Sequence, residues 1–136
     1  MKRVLLLILT IALVSTGFSQ EEKIEGPAIA WEKESFDFGD IIQGEKVEHT
    51  FKFTNTGNQP LIITNIQVTC GCTTPKGWPR DPIAAGGKGE ITIAFNSAGK
   101  LGKQNKVVTV MSNAVNSENQ VLFSANVMQK NLPNNN

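Results

Sequence analysis

The chain has 136 residues, with 13 lysines and arginines against 12 aspartates and glutamates and a formal net charge of +1. This length suits one domain and is short for two, and the balanced charge lacks the basic excess typical of nucleic-acid-binding domains. The chain has one histidine and no tyrosine, and its acidic residues are scattered, so the sequence indicates no set of nucleophile, base and orienting partner. We therefore expect neither an enzyme nor a bound cofactor.

The N-terminal segment is typical of a secretory signal peptide. Residues 1–3 carry positive charge, residues 4–14 are almost entirely apolar, and Gly17 and Ser19 supply the small residues of a cleavage point. The apolar run is shorter than the about 20 residues that span a bilayer, which favours a cleaved signal over a membrane anchor. We predict a signal peptide of residues 1–19 and an exported protein, periplasmic or extracellular, that is not attached to the membrane. Cleavage leaves 11 basic and 12 acidic residues, a net charge of −1.

The body of the chain has the alternation of apolar and polar residues that is typical of β-strands. Residues 20–28 are predicted to be a flexible lead-in, and short strands are predicted near residues 29–31 and 36–38. The next strand is the clearest, because its inward-facing residues recur with a period of two: Val47, His49, Phe51 and Phe53. His49 is therefore predicted to be packed rather than functional. In the β-branched segment 61–69 the same spacing predicts one shared face: Ile62, Thr64, Ile66, Val68 and Cys70.

The second half of the chain continues the β pattern. Residues 75–82 contain three prolines, which cannot donate hydrogen bonds within a sheet, so this segment is predicted to be a loop. Further strands are predicted over three segments: 91–95, 107–111 and 121–127. Residues 129–136 are predicted to be a disordered tail. About seven short strands without an amphipathic helix predict an all-β domain over residues 29–128, an antiparallel β-sandwich of immunoglobulin type.

Several short motifs together resemble a bacterial exported family known only as a domain of unknown function. The motifs are FGDI at residues 38–41, FKFTNTG at 51–57, PL at 60–61, CGCT at 70–73 and GG at 86–87. That family is similar to the immunoglobulin-like ASH, hydin and major sperm protein domains, and the resemblance covers residues 31–127. It implies an immunoglobulin-like sandwich and supplies no activity, while the relatives of the fold are mostly scaffold and protein-interaction modules.

The only two cysteines, Cys70 and Cys72, form a candidate thiol pair that allows three interpretations. The first is a disulfide, because export places the chain where disulfides persist. Bridged Cα atoms lie about 5.5–6 Å apart, less than an extended strand spans over two residues, so Gly71 would have to kink the chain. Such a bridge is expected to be strained, easily reduced and of little value to stability.

The second interpretation is a metal site, and the third is simple packing. Structural zinc requires four ligands, and only His49, Met111 and Met128 remain as further donors, so two thiolates would suit Cu(I) better than zinc. Alternatively, cysteine behaves as a small buried hydrophobic residue. Cys70 shares the predicted face of its strand, and by the same parity Cys72 would also point inward if the strand continues. The sequence leaves these alternatives, and the identity of any metal, open.

A segment beside the cysteines carries a candidate contact surface. Trp78 and Arg80 belong to the residue types that dominate interface hot spots, although Trp78 would serve equally well as a cap on the sandwich. We therefore predict an exported protein-interaction or scaffold module that binds another protein through residues 70–81. Exposed sheet edges offer a second route, by strand addition. The alternative function is a thiol-dependent redox or Cu(I)-handling protein that uses Cys70 and Cys72.

Overall fold

The computed structural model describes residues 17, 19, 23–116 and 119–131. These residues form eight strands and no helix, so none of them offers an apolar helix that could cross a membrane. The strands are β1 (Ile29–Trp31), β2 (Ser35–Ile42), β3 (Lys46–Asn55), β4 (Ile63–Val68), β5 (Thr73–Gly77), β6 (Lys88–Asn96), β7 (Gly102–Ser112) and β8 (Asn119–Met128). The predicted signal peptide, apart from Gly17 and Ser19, and residues 132–136 of the predicted tail lie outside the described residues.

The strands form two packed sheets, and the prediction of an immunoglobulin-like sandwich is confirmed. One sheet has the order β1-β3-β6-β5 and the other the order β2-β8-β7-β4. The chain passes from one sheet to the other between β1 and β2, and β2 reaches the edge of the second sheet running in the same direction as β8. The pair β2–β8 is therefore parallel, whereas the other neighbouring strands are antiparallel. Two details of the prediction change: the described residues form eight strands rather than about seven, and one pair is not antiparallel.

The core lies between the two sheets and is built from alternate residues of the long strands. Because successive side chains of a strand point to opposite faces, every second residue of β3, β6, β7 and β8 is inward. The inward side chains at the centre are almost inaccessible to water: Phe51, Phe53, Ile91, Ile93, Phe95, Val108, Val110, Val121, Phe123, Ala125 and Val127. Burial of each large apolar side chain stabilises the fold by about 1.5–3 kcal/mol. The alternation predicted for segments 91–95 and 121–127 is confirmed.

The predicted inward face of β4 is only partly correct. Ile66 is buried as predicted, but Ile62 and Thr64 are exposed, and Leu61 and Ile63 are buried instead. The pairing of β4 with β7 shifts by one residue between Ile63 and Asn65, which is a β-bulge. An extra residue in one strand exchanges the inward and outward faces beyond it, and local sequence spacing cannot reveal this.

The prediction that residues 75–82 form a loop is wrong for its first three residues. Thr73–Gly77 forms β5, an outer strand whose described neighbour is β6. A proline is tolerated in such a strand because its missing N–H removes no hydrogen bond when that side faces away from the neighbour. The pairing also shifts between Pro75 and Gly77. Residues 78–82 lie outside the strands, as predicted.

The FKFTNTG motif forms a structural corner at the end of β3. Asn55 is completely buried. Its Oδ1 accepts hydrogen bonds from the N–H groups of Ala28 at 3.2 Å and Gly57 at 3.1 Å. Its Nδ2 donates to the carbonyl oxygens of Gln59 at 2.8 Å and Ile83 at 3.0 Å. One side chain thereby uses all four of its principal hydrogen-bonding positions and ties together three separate segments of the chain.

The N-terminal segment packs against this Asn55 corner. Gly26, Pro27 and Ala28 are buried, although they fall within the predicted flexible lead-in of residues 20–28, so the packed domain begins before Ile29. A side chain at Gly57 would collide with the carbonyl oxygen of Gly26 and would come within 2.7 Å of the Ala28 nitrogen. Glycine is therefore required at position 57 by close approach of two backbones.

Candidate functional site

The two cysteines lie in the turn that joins β4 to β5. Their Sγ atoms are joined by a disulfide bond, and their Cα atoms are 5.3 Å apart. An extended strand would separate these Cα atoms further, so the turn at Gly71 brings them together. Of the three interpretations open to the sequence, the structure has the bridge, and no cysteine in the described residues is free.

The inward orientation predicted for Cys72 depends on a strand that continues, and the strand does not continue through the cysteines. β4 ends at Val68, and the turn resets the alternation before β5 begins. Thr73 is the buried residue, with 4% of its surface exposed, whereas Cys72 is half-buried. Cys72 packs partly against the core and also lies on the side of the sheet that carries Thr74.

Two hydrogen-bond donors lie close to the sulfur atoms. The backbone N–H of Cys72 donates to the Sγ of Cys70 at 3.2 Å. The Oγ1 of Thr73 lies 3.9 Å from the Sγ of Cys70 and 4.0 Å from the Sγ of Cys72. Sequence reasoning missed Thr73. The signal was its place directly after the second cysteine, which puts a hydroxyl beside the bridge once the turn folds back.

The backbone of the turn is held by bonds at both ends. The N–H of Thr73 donates to the carbonyl oxygen of Cys70 at 3.2 Å, and the N–H of Asn96 donates to that of Cys72 at 2.8 Å. The first bond closes the turn on itself, and the second fixes it to the end of β6. The geometry around the sulfur atoms is thus set by the backbone and does not depend on flexible side chains.

A shallow depression adjoins Cys72 on the outer face of the first sheet. It has a volume of about 250 Å³, and its polar and sulfur-bearing lining comes from three strands and the turn: Lys46, Glu48, Cys72, Thr74, Lys76 and Asn96. The Nζ of Lys76 lies 2.7 Å from the Oε1 of Glu48, and both side chains are about half exposed, at 52% and 50%. The charges of Lys76 and Glu48 cancel, and the positive charge of Lys46 remains, so the lining of the depression carries a net positive charge.

The candidate contact residues Trp78 and Arg80 lie just beyond β5. The Trp78 ring is half-buried and packs against the core, so it caps this side of the sandwich. The guanidinium carbon of Arg80 lies 3.7 Å from the ring centroid, which is a cation–π contact, and Arg80 is itself exposed. Within the described ranges, the buried Nε1 of Trp78 has no hydrogen-bond partner. The structure thus brings both candidate residues together on one surface.

His49 is packed, as predicted. Its ring stacks on Phe36 with centroids 3.7 Å apart and planes 11° apart. The centroid of Phe51 lies 4.7 Å away, with the two rings nearly perpendicular at 81°. Partial burial lowers the pKa of His49 below its usual value, and the charge of Lys33 lowers it further. The described part of the chain has no group of three or more His, Cys, Asp and Glu side chains that could hold a metal ion. Neither Met111 nor Met128, the other donors considered from the sequence, lines the depression next to Cys72.

Solved structures share this fold at low sequence identity. A protein of unknown function from Porphyromonas gingivalis W83 superposes with a TM-score of 0.65 at 16% identity, over 81% of this chain and 51% of that chain. The ASH/PapD-like domain 7 of human CEP192 superposes with a TM-score of 0.58 at 11% identity, over 91% of this chain and 99% of that domain. The secreted serine protease VesC from Vibrio cholerae gives 0.58 at 14% identity, over 74% of this chain and 23% of the protease.

These similarities show the fold alone, because identities this low carry no activity. The chain spans about half of the Porphyromonas protein and about a quarter of the protease. No curated protein matches the chain. Residues 29–127, from the start of β1 to the penultimate residue of β8, match the family described as protein of unknown function DUF1573, and the chain therefore belongs to that family.

Proposed function

We propose that this protein is an exported protein-interaction module and not an enzyme, with residues 70–81 as its contact region. The observation that carries the proposal is the pairing of Trp78 with Arg80. An aromatic ring fixed against the core presents an exposed guanidinium on its face, so the two side chains are ordered before a partner binds. Preordered Trp and Arg side chains cost little entropy on binding and are the types that dominate interface energetics.

The chemistry of the remaining residues supports a binding role over catalysis. His49 is the only histidine, and its ring is stacked within an aromatic cluster rather than poised beside a nucleophile. Some proteins of similar fold are proteases, but the match covers only 23% of VesC and 31% of VesB from Vibrio cholerae. The structural likeness to these enzymes therefore provides no support for proteolysis by this chain.

Strand addition at a sheet edge has less support than contact through residues 70–81. Three of the outer strands, β2, β4 and β5, each carry a register shift, and β5 also contains Pro75. Bulges and prolines twist an edge away from a regular partner strand and are the usual means by which proteins prevent edge pairing. These irregularities favour a side-chain interface over a backbone one.

Quantitative co-purification from extracts of the producing organism tests the contact region. Arg80→Glu reverses an exposed charge within the region, and Lys103→Glu makes the same kind of change on an exposed position of β7, in the other sheet. We expect Arg80→Glu to reduce capture of the principal partner by about fivefold or more, as for a hot-spot residue, and Lys103→Glu to leave it unchanged. Equal capture by both variants and the unsubstituted protein would place the interface elsewhere.

A second candidate function is thiol–disulfide exchange at Cys70 and Cys72. The specific observation is that the bridge closes a ring of only three residues, is half-buried rather than sealed in the core, and borders an open depression. Accessible disulfides of this kind are the ones that exchange readily. Handling of Cu(I) would first require reduction, because bridged sulfur atoms carry no thiolate for a metal.

A further inference from the structure

We propose that the Cys70–Cys72 disulfide exchanges with anionic thiols, and that an incoming thiolate attacks the Sγ of Cys72 while Cys70 leaves as a thiolate. This inference rests on the second candidate function. It adds the direction of the reaction, the residue that supports the leaving sulfur and the chemical class of the substrate.

The surroundings of the two sulfur atoms make Cys70 the better leaving group. The Sγ of Cys70 accepts a hydrogen bond from the N–H of Cys72, and a thiolate at this position would strengthen that bond because hydrogen bonds to charged acceptors are the stronger ones. A thiol whose thiolate is stabilised has a lower pKa and leaves faster in exchange. The corresponding bond to the Sγ of Cys72 is absent from the described residues, where Cys72 has only the distant hydroxyl of Thr73.

Thr73 provides a second donor to the leaving sulfur. Its hydroxyl is buried, and in the described part of the chain its side-chain hydrogen-bond partners are the two cysteine sulfur atoms. A hydroxyl hydrogen can rotate toward either sulfur. Once the disulfide opens, the charge resides on Cys70, and the hydroxyl is free to turn toward it from 3.9 Å.

The approach to the bridge favours attack at Cys72. Cys72 lines the depression on the outer face of the sheet, whereas Cys70 does not contribute to the lining. Lys46 adds a positive charge that the Lys76–Glu48 pair does not cancel. A thiol that carries additional negative charge, such as glutathione or a cysteine within an acidic peptide, is therefore attracted to the side from which Cys72 is reached.

The reaction conserves atoms and electrons in two steps. A substrate thiolate forms a bond to the Sγ of Cys72, the Cys70–Cys72 bond breaks, and its electron pair remains on the Sγ of Cys70. A second substrate thiolate then attacks the substrate sulfur of the mixed disulfide, and Cys72 leaves with the electron pair. Two substrate thiols are oxidised to one disulfide, and the protein disulfide is reduced to two thiols that take up the two protons.

Mapping of the mixed disulfide tests the direction of attack in the unsubstituted protein. The folded mature protein is mixed with reduced glutathione, quenched with acid within seconds to minutes, and digested for mass spectrometry. We expect the glutathione adduct on Cys72 and a free thiol on Cys70. An adduct on Cys70, or equal adducts on both, overturns the proposed direction while leaving exchange itself established. Exchange that occurs only after unfolding in urea instead overturns the second candidate function.

Single-cysteine variants measure the thiolate preference independently. In Cys72→Ser the backbone N–H that faces Cys70 is retained, so alkylation by iodoacetamide across pH should report a lower thiol pKa for Cys70 than for Cys72 in Cys70→Ser. Circular dichroism checks that both variants fold. Equal pKa values, or a lower pKa for Cys72, would contradict the assignment.

Two further variants separate the roles of Thr73 and Lys46. Thr73→Val keeps the shape of a buried β-branched residue and removes the hydroxyl, so exchange with glutathione should slow by about two- to tenfold. Lys46→Gln should lower the rate of exchange with glutathione by up to about fivefold, while the rate with the cationic thiol cysteamine stays the same or rises. The control Lys103→Gln should show no such difference between the two thiols. An unchanged ratio of the two thiol rates in Lys46→Gln would remove anionic thiols as the preferred class.

Discussion

The turn at Asn55 and the turn at Cys70 lie at opposite ends of the sandwich and are held together differently. Thr73 pairs with Phe95, which pairs with Val47 near the start of β3, whereas Asn55 ends that strand. The Asn55 corner joins distant segments through four hydrogen bonds of one buried amide. The cysteine turn joins residues only two positions apart by a covalent bond.

This difference separates a motif that stabilises the fold from one that is available for chemistry. Buried groups that satisfy one another across long sequence separations hold the native state, because their loss leaves several unpaired polar groups in the interior. A bridge across three residues restrains the unfolded chain less than a bridge that closes a long loop. The covalent bond at Cys70 is therefore the weaker contributor to stability, and its half-exposed position leaves it open to reaction. Substitutions at the two turns test this contrast, and Asn55→Ala has the largest expected effect.

Asn55→Ala should destabilise the domain most. The substitution removes the partner of the N–H groups of Ala28 and Gly57 and of the Gln59 carbonyl oxygen, whereas the Ile83 carbonyl oxygen keeps its bond from the N–H of Leu61. We expect a loss of about 3–5 kcal/mol in the free energy of unfolding. Urea denaturation measures the loss. Asn105→Ala, at an exposed position of β7, is the matched control and should remain within about 0.5 kcal/mol. Similar losses in both variants would contradict the conclusion that the hydrogen bonds of Asn55 stabilise the fold.

The same change of glycine to alanine at the two turns gives a direct comparison. At Gly57 the added methyl group would collide with the backbone of Gly26 and Ala28, so we expect a loss of about 2–3 kcal/mol. At Gly71 no atom beyond the neighbouring residues Cys70 and Cys72 lies within 4 Å of the added carbon, and φ is not positive. Gly71→Ala should therefore change the unfolding free energy by less than about 0.5 kcal/mol. Thermal and urea unfolding of both variants measure these losses. A larger loss of unfolding free energy at Gly71 than at Gly57 would contradict the conclusion that the Asn55 turn stabilises the fold more than the cysteine turn.

Removal of the bridge should cost less than the loss of Asn55. For a loop of three residues, the chain-entropy relation gives a stabilisation of only about 1.6 kcal/mol. The double variant Cys70→Ser/Cys72→Ser should therefore remain folded and unfold at a slightly lower urea concentration. Unsubstituted protein unfolded with and without a reducing agent provides the control. A domain that fails to fold without the bridge would show that the cysteine turn is a structural staple.

The smallest effect concerns the pH dependence of stability. Burial and Lys33 lower the pKa of His49 in the folded state, so the unfolded chain binds the proton more readily. The contribution is fully present above the usual histidine pKa of about 6.5 and is lost as pH falls below it. The urea midpoint should fall between pH 7.5 and pH 5.5 by more in the unsubstituted protein than in His49→Gln. An identical fall in both proteins would exclude His49 as the group responsible.

The parts of this fold that follow from local sequence were predictable, and those that depend on pairing were not. Alternation in β3, β6 and β8 predicts the core because the period-two rule needs only neighbouring residues. The bulge in β4 reverses the faces of Ile62 and Ile63 through a shift against β7, and the proline-containing β5 exists because β6 offers it a partner. Neither partner strand is visible in the local pattern.

The candidate site shows the same limit. The cysteines and the Trp78–Arg80 segment stand out in the sequence because their residue types are rare or typical of interfaces. The orientation of the cysteine side chains cannot be predicted from the sequence, because the turn at Gly71 interrupts the inward–outward alternation of the strand. The depression beside Cys72 combines residues that are distant in sequence, such as Lys46 and Asn96, and only the pairing of β3, β5 and β6 brings them to one place.

The most direct test of the contrast between the two turns is reduction of the folded protein. The mature protein is equilibrated in glutathione buffers of increasing reducing power, and the thiol count and the circular dichroism spectrum are measured on each sample. We expect two free thiols in a protein whose spectrum is still that of the folded state, because Asn55 and the core hold the fold without the bridge. A disulfide that resists reduction until the domain unfolds would contradict it.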